Sequence, residues 1–502
     1  MNTMKRRTFL KTASGVAAIN FACQGRTERN LAVKKPNVVL ILTDDQSFRT
    51  IHALNNDIIR TPNIDSLVKR GTAFTNAWYM GSSNAAVCMP SRAMLMTGKT
   101  LFHLENMGRV LPESHPTLPE TFRNNGYRTF QTGKWHNDRG SFARSFSTAG
   151  KIFFGGMSSH YNIPIQDFDP EGEYPNSRSY HVTDTHSTEL YANSAVTFLN
   201  SLNDDTPFFM YVAFQSPHDP RQMPDEYLNM YDPASIPLPD NFMPAHPFNF
   251  GEVNHRDEKL ERWPRTSEKI RRHMADYFGF ITFTDTAIGR ILTALDRSGH
   301  IDDTIIVFAA DNGLAVGQHG LMGKQNPYEH SVHVPLIICG PGVQSDVQTD
   351  TPCYLIDIYP TLCGLAGMEI PSSVEGASLL PVIRGEKYEV RDTQFFAFKN
   401  FQRAIKSGDL KLIEYNVAGE RHTQLFDLAK DPWETVNLAD DPAYRDKLAS
   451  MRVLLKQAMA DHDDAADLDM EGWGVPEIGP WKPGKWIDPN PDVYYDSSWP
   501  SG

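Results

Sequence analysis

The sequence predicts an α/β protein: a large mixed, mostly parallel β-sheet sandwiched by helices, followed by a smaller C-terminal α+β domain. Three observations carry this. Four apolar runs lack the polar alternation of a half-exposed strand, as strands covered on both faces do. Helical patterns fall between those runs. The runs end in acidic, amide or Pro-His groups, and open α/β sheets gather such groups beyond the carboxyl ends of their strands.

In chain order, the first run is Pro36-Asn37-Val38-Val39-Leu40-Ile41-Leu42-Thr43, and Asp44-Asp45 follow it directly. Helical patterns over Pro62–Gly71, Leu118–Gly126 and Ser187–Leu202 come before the second run, Pro207–Phe214, which leads into Pro217-His218. The longest helical pattern, Ser267–Arg297, precedes Thr304–Ala310, which ends in Asp311-Asn312; the fourth run is Val334–Cys339. Two stretches read as insertions. Residues 137–186 are rich in Gly, Ser, Asp and Tyr, and residues 219–265 in Pro, Asn, His and Arg, and long irregular segments in a compact enzyme usually cover an active site. From about 387 the pattern changes to Arg403-Ala404-Ile405-Lys406 and Leu410-Lys411-Leu412-Ile413, an antiparallel unit, with a helix over roughly 442–461. The division is therefore 1–30, a targeting segment; 31–386, the large α/β domain; and 387–502, a C-terminal subdomain with a small antiparallel sheet, a helix and a wrapping tail rich in Pro, Trp and Gly.

The 502 residues carry 48 Lys and Arg against 61 Asp and Glu, a net charge of −13, which speaks against a general nucleic-acid binder but leaves room for a few cations around one anionic substrate. No apolar run beyond the first 25 residues approaches the ~20 residues that span a bilayer. Lys5-Arg6-Arg7-Thr8-Phe9-Leu10-Lys11, followed by the mild apolar stretch Thr12–Ala22, resembles a bacterial twin-arginine export signal, so a periplasmic or secreted protein is expected. A lipid anchor at Cys23 is the lesser expectation, because Asn20 sits where such sites want an aliphatic residue. The five cysteines are too few for a disulfide scaffold and show no zinc spacing; Cys339, Cys353 and Cys363 read as small core hydrophobes.

The sharpest signal is Cys88-Met89-Pro90-Ser91-Arg92, continued by Ala93-Met94-Leu95-Met96-Thr97-Gly98. It resembles the signature of the type I sulfatases of the alkaline-phosphatase superfamily. The resemblance implies that Cys88 is oxidised to formylglycine by a maturation enzyme and that the hydrated aldehyde is the nucleophile. The chemistry gives a reason for this: a gem-diol attacks with one hydroxyl and ejects sulfate by losing the proton of the other, an exit that a thiolate lacks. Pro90-Ser91-Arg92 would set Cys88 at a helix N-terminus, which favours anions, with Arg92 holding nucleophile and ligand oxygens in place.

Asp44, Asp45, Asp311 and Asn312 form a hard-oxygen set suited to Ca²⁺ or Mg²⁺; alone they read equally as turn residues. The resemblance implies Ca²⁺, with the modified Cys88 completing the shell. Gly133-Lys134-Trp135-His136, Ser216-Pro217-His218-Asp219-Pro220 and Gly323-Lys324 match further family motifs. Lys134 and His136 would flank the nucleophile, His218 and Lys324 would contact sulfate, His218 or Lys324 would protonate the leaving alcohol, and His136 is the better base. Thr61-Pro62-Asn63-Ile64-Asp65, the run from Asp311 to Pro341-Gly342, and Gln424-Leu425-Phe426-Asp427-Leu428 with Asp431-Pro432 extend the resemblance over roughly 35–460. It implies hydrolysis of sulfate monoesters. The export signal and polar, aromatic insertions favour a sulfated oligosaccharide or polysaccharide over small choline or aryl sulfates, with His103, His160, Arg178, His181, Arg221 and His319 as candidate sugar contacts. A phosphonate or phosphate monoester hydrolase of the same superfamily and a non-catalytic glycan-binding relic are the alternatives. Oligomeric state and the sugar itself are not legible.

Overall fold

The computed structural model describes residues 35–386 and 389–469; the export segment, Cys23 and the wrapping tail lie outside the described residues. The main sheet has eight strands: β1 (Asn37–Thr43), β2 (Gly71–Phe74), β3 (Arg128–Lys134), β4 (Thr148–Phe153), β5 (Phe208–Ala213), β6 (Thr304–Ala310), β7 (Leu336–Cys339) and β8 (Val347–Thr349). Their order is β8-β2-β7-β6-β1-β5-β3-β4. The block from β6 to β4 is parallel throughout; β7 runs antiparallel to both β6 and β2, and β8 lies parallel to β2. β1 sits centrally and every one of its residues is buried, which accounts for its unbroken apolar run.

Alternate residues of β1 feed two cores. Val39 and Ile41 pack with helices α1 (Pro62–Arg70), α5 (Ser187–Asn200) and α6 (Ser267–Arg297). Val38, Leu40 and Leu42 pack on the other face with α2 (Cys88–Thr97), α3 (Leu118–Asn124) and α7 (Ile358–Leu365). The helix starts follow local chemistry. Pro62 opens α1, Thr117 and Glu120 form a reciprocal capping box on α3, and Thr266 accepts from Lys269 N on α6. A further helix, α4 (Arg139–Ser145), is capped by Asp138.

The C-terminal domain is an antiparallel meander, β9 (Thr393–Phe398), β10 (Gln402–Ser407), β11 (Leu410–Val417) and β12 (Glu420–Asp427), followed by α8 (Arg445–Asp461). The two-residue strand Gly81–Ser82 pairs parallel to β9. Phe395, Ile405, Leu412 and Leu455 belong to the same apolar cluster as Leu40 and Leu42, so this domain shares its core with the large one.

Two details differ from the sequence expectation. The 334–339 run becomes a strand from Leu336 and is antiparallel, so absence of alternation reported burial on both faces and not direction. The 137–186 stretch is not wholly an insertion, since β4 lies within it and forms the sheet edge. Cys353 and Cys363 are both free and buried, as small core hydrophobes are expected to be.

Candidate active site

The register of β1 against β6 pairs Thr43 with Ala310, so the two strands end side by side and deliver Asp44-Asp45 and Asp311-Asn312 to one place. Asp45 takes a left-handed backbone, φ 65°, an uncommon conformation that Asp tolerates better than most residues. Its N–H donates to Asp311 Oδ1 at 3.2 Å, and Asn312 Nδ2 donates to Asp45 Oδ1 at 2.7 Å. Tyr277 Oη donates to the Asp45 carbonyl at 2.5 Å, pinning the turn from α6.

Cys88 is the first residue of α2, a helix buried along its whole length. Ser91 Oγ donates to the Asp311 carbonyl at 2.5 Å; Arg92 Nε donates to Asp311 Oδ2 at 2.9 Å and its Nη1 to the Lys134 carbonyl at 2.9 Å. These bonds fix the helix, and with it position 88, to the ends of β6 and β3. Lys134, at the end of β3, places Nζ on Asp44 Oδ2. Lys324 Nζ sits on Asp45 Oδ1 and donates to Cys88 Sγ at 3.3 Å. His218 Nε2 lies 3.8 Å from Asp45 Oδ2, and its Nδ1 is 2.7 Å from the Asp219 carbonyl. His136 follows β3 with φ 70°, and its buried Nδ1 has no hydrogen-bond partner. A Cβ at Gly156 would lie only 2.6 Å from His136 Nε2, so the loop after β4 closes on this ring only because it carries glycine there.

Three acidic groups therefore meet three permanent cations in a buried cluster. Burial alone would raise the Asp44 carboxyl, but Lys134, His218 and Arg92 hold it well below the usual range. Burial and the neighbouring Asp44 raise Asp311. Burial and the charges of Lys134 and Arg92 push His136 well down, so its imidazole is neutral. Burial and Asp44 push the Cys88 thiol far up, which leaves it a poor nucleophile as a thiol.

The donor set fits a hard divalent cation. Asp44 Oδ1, Asp45 Oδ2 and Asn312 Oδ1 are buried and accept no hydrogen bond, a costly state for oxygens that face nothing positive. One ligand atom each from Asp44, Asp45, Cys88 and His218 lies within 4.8 Å of the others.

Cys88, Arg92, Lys134, His136, His218, Lys324, Asp44, Asp45, Asp311 and Asn312 are thus gathered in one region. Five of the six expected sugar contacts are not. His103 is held by Glu375 and Asp463, Arg178 by Asp169, and His181 by Asn162. Arg221 is buried over the Tyr277 ring beside His273, and His319 stacks on Tyr328. His103, Arg178, His181 and His319 are already engaged locally, which a residue list cannot reveal. His160 does reach the cluster, but from beneath: its ring is buried and Nε2 meets the His218 carbonyl at 3.0 Å. Conversely, Arg256 escaped sequence reading. It comes from the 219–265 insertion and bridges Asp219 and Asp257; burial alone would lower its pKa, but Asp219 and Asp257, with a smaller share from Asp45, hold it charged. A lone Arg in an irregular stretch carries no motif.

Comparison with known proteins agrees with this geometry. A family model described as Sulfatase matches residues 36–368, and one described as N-sulphoglucosamine sulphohydrolase, C-terminal, matches residues 317–461. The chain is 30% identical over 456 residues to an ulvan-active sulfatase of Formosa agariphila, covering 86% of this chain and 82% of that protein. It is 24% identical to an N-acetylglucosamine-6-O-sulfatase of Bacteroides thetaiotaomicron, covering 89% and 90%. Among solved structures, one in complex with its substrate D-glucosamine-2-N,6-O-disulfate superposes with a TM-score of 0.74 at 22% identity, covering 87% of this chain and all of that one.

Proposed function

The chain belongs to the sulfatase family of the alkaline-phosphatase superfamily and is a sulfuric ester hydrolase, and we propose that its substrates are sulfated carbohydrates, cleaved with a formylglycine made from Cys88 and a bound Ca²⁺. The observation that carries the catalytic part is the trio of buried oxygens on Asp44, Asp45 and Asn312 that accept no hydrogen bond, with ligand atoms of Asp44, Asp45 and Cys88 within 4.8 Å of one another. The names of the relatives, an ulvan-active and an N-acetylglucosamine sulfatase, support the carbohydrate part.

Asp44, Asp45, Asp311 and Asn312 would hold the cation, and three carboxylates with an amide favour Ca²⁺ over Mg²⁺, which keeps more of its water. When bound, Ca²⁺ supplies positive charge for the sulfate oxygens; formylglycine, when formed, supplies a hydroxyl as the nucleophile. Cys88 is 2% exposed, so we propose that a maturation enzyme reaches it before folding.

The chain's own side chains do the rest. Lys324, beside the sulfur position, and Lys134 bind the ester's negative charge in a buried site, where one close cation is worth up to about 4 kcal/mol at an effective dielectric near 20. Arg92 keeps α2 in register with the strand ends. His218 donates Nδ1–H to the Asp219 carbonyl, which leaves Nε2 to face the ester oxygen; with both ring nitrogens protonated, it passes that oxygen its Nε2 proton and becomes the neutral imidazole. His136, kept neutral, offers its unpartnered Nδ1 as acceptor for the proton released on the nucleophile side.

The test combines peptide mass spectrometry of position 88 with sulfate release from a panel of defined sulfated oligosaccharides, set against phosphate and phosphonate monoesters. The expected outcome is a thiol-to-aldehyde conversion, release from at least one sugar sulfate, and complete loss in Cys88→Ala. An active Cys88→Ala protein, or faster turnover of the phosphorus esters, would end this reading; turnover of aryl or choline sulfate alone would end its carbohydrate part.

Among the described residues no helix is long and apolar enough to cross a membrane. From Arg6-Arg7 and the segment after it, we propose export to the periplasm or beyond by the twin-arginine route. Unchanged export from cells lacking that translocase would refute it.

A further inference from the structure

Away from the ion-pair cluster lies a cavity of about 810 Å³ that shares none of its residues. That size falls within the ~300–1,000 Å³ of small-molecule sites. Its walls come from the 219–265 insertion, the loop holding His319 and Tyr328, the strand β12, the loop after it, and α8.

The lining combines flat ring pairs, a fixed acceptor and cations. His319 stacks on Tyr328 at 3.9 Å and 12°, and Phe248 on His422 at 4.1 Å and 12°. Asn241 is 5% exposed. Its Nδ2 donates to the Trp433 carbonyl at 2.9 Å and to Gln318 Oε1 at 3.3 Å, so the amide cannot turn; Oδ1 is left buried with no partner. A buried acceptor fixed in this way asks for a donor that the chain does not supply. Arg452, about half exposed, is oriented by Glu414 and Thr423. Arg421 contributes a second guanidinium, while Asp240 and Asp440 contribute carboxylates.

This mixture discriminates among ligand classes. A nucleic acid, with a charged phosphate at every unit, wants a run of cations without carboxylates, and an apolar ligand wants neither. A sugar ring presents a C–H face to aromatic planes and hydroxyl donors to Asn and Asp acceptors, and its sulfate or carboxylate groups suit a guanidinium. We propose that this cavity is a second glycan site, which holds a short segment of a sulfated oligosaccharide at a distance from the bond being cleaved. The inference rests on the carbohydrate reading above.

Binding to sulfated oligosaccharides derived from ulvan, carrageenan and heparin, measured by calorimetry, tests it in the wild type, in Arg452→Ala and in His422→Ala, with kcat/KM on a small aryl sulfate as control. The expected result is an affinity about tenfold weaker in each variant, with aryl-sulfate kcat/KM within about twofold of wild type. The inference is overturned if the wild type binds none of the panel, if neither variant weakens binding, or if aryl-sulfate turnover falls in parallel. Binding that weakens as expected, in a protein that releases no sulfate from any sugar, refutes the carbohydrate substrate and leaves the second site standing.

Discussion

His160 donates from Nε2 to a carbonyl oxygen, that of His218, so its Nδ1, 2.7 Å from Ser187 Oγ, is an acceptor. Burial lowers its pKa to about 4, and the imidazole is neutral through the working range. It stacks at 4.9 Å and 3° on His186, whose Nε2 meets the Gln222 carbonyl at 2.9 Å, while Gln222 Oε1 accepts the His160 N–H at 2.8 Å. Two neutral rings therefore hold both sides of the loop that carries His218. Removing the ring leaves a buried carbonyl and hydroxyl unsatisfied, worth about 1–3 kcal/mol, and frees His218 to move. His160→Ala should lower kcat about tenfold or more with little change in KM, and His160→Gln, which keeps a donor, should recover most of it. A loss confined to KM, or no loss, would refute this positioning role. The residues that do chemistry were legible because their types recur in fixed local patterns around Cys88, Lys134, His218 and Lys324. His160 was legible as a polar residue but not in its role, because its partners Ser187 and His218 lie 27 and 58 positions away.

At the level of elements, legibility followed burial. β1, β5 and β6 are central strands, covered on both faces, and each shows as an apolar run within a residue of its observed bounds. β3 carries Arg128, Gln131 and Lys134, and β4 lies at the edge with four half-buried residues; their apolar signal is diluted by what they do. Gln131 donates to the Gly133 carbonyl, and Lys134 reaches Asp44, so β3 trades pattern for site chemistry. The same holds for α2. Its polar residues Ser91 and Arg92 are buried at 1% because they bond to β6 and β3, and a helix buried on all sides shows no amphipathic stripe. The loop after β4 has no periodicity at all, and yet Gly156 in it makes room for His136 and His160 supports His218. Irregular sequence here reflects a segment shaped by the site and not by a repeating core face.

At the scale of the whole molecule, the C-terminal sheet and helix share a core with the large sheet, and His103 ties a polar clamp to the end of α8. Glu375 accepts from Lys99 Nζ, Thr100 N–H and Thr100 Oγ1, all at 2.8 Å, and sits 2.8 Å from His103 Nδ1. His103 Nε2 lies 2.8 Å from Asp463, just past α8. Burial alone would raise the Glu375 carboxyl, but the Lys99, Thr100 and His103 bonds bring it down to about 2. Burial would lower His103, but its two carboxylate partners outweigh this and raise it; His462, packed nearby, works against that charge. The signs set a window. The Glu375 contribution is present above its ordinary pKa of 4.5 and fades as pH falls toward 2. The His103 contribution is complete below its ordinary 6.5 and is lost as pH rises through its raised value. The clamp is therefore tightest between those limits. Because the His103 side chain is 30% exposed and Asp463 80%, its worth is on the order of 1 kcal/mol or less. His103→Gln should lower the unfolding free energy by about that amount near pH ~6 and by almost nothing at a pH above the raised His103 value, where the wild-type ring is neutral and keeps one N–H, as glutamine does. Denaturant titration of both proteins at the two pH values measures the difference, and an equal loss at both would mean that His103 acts by packing and not by charge.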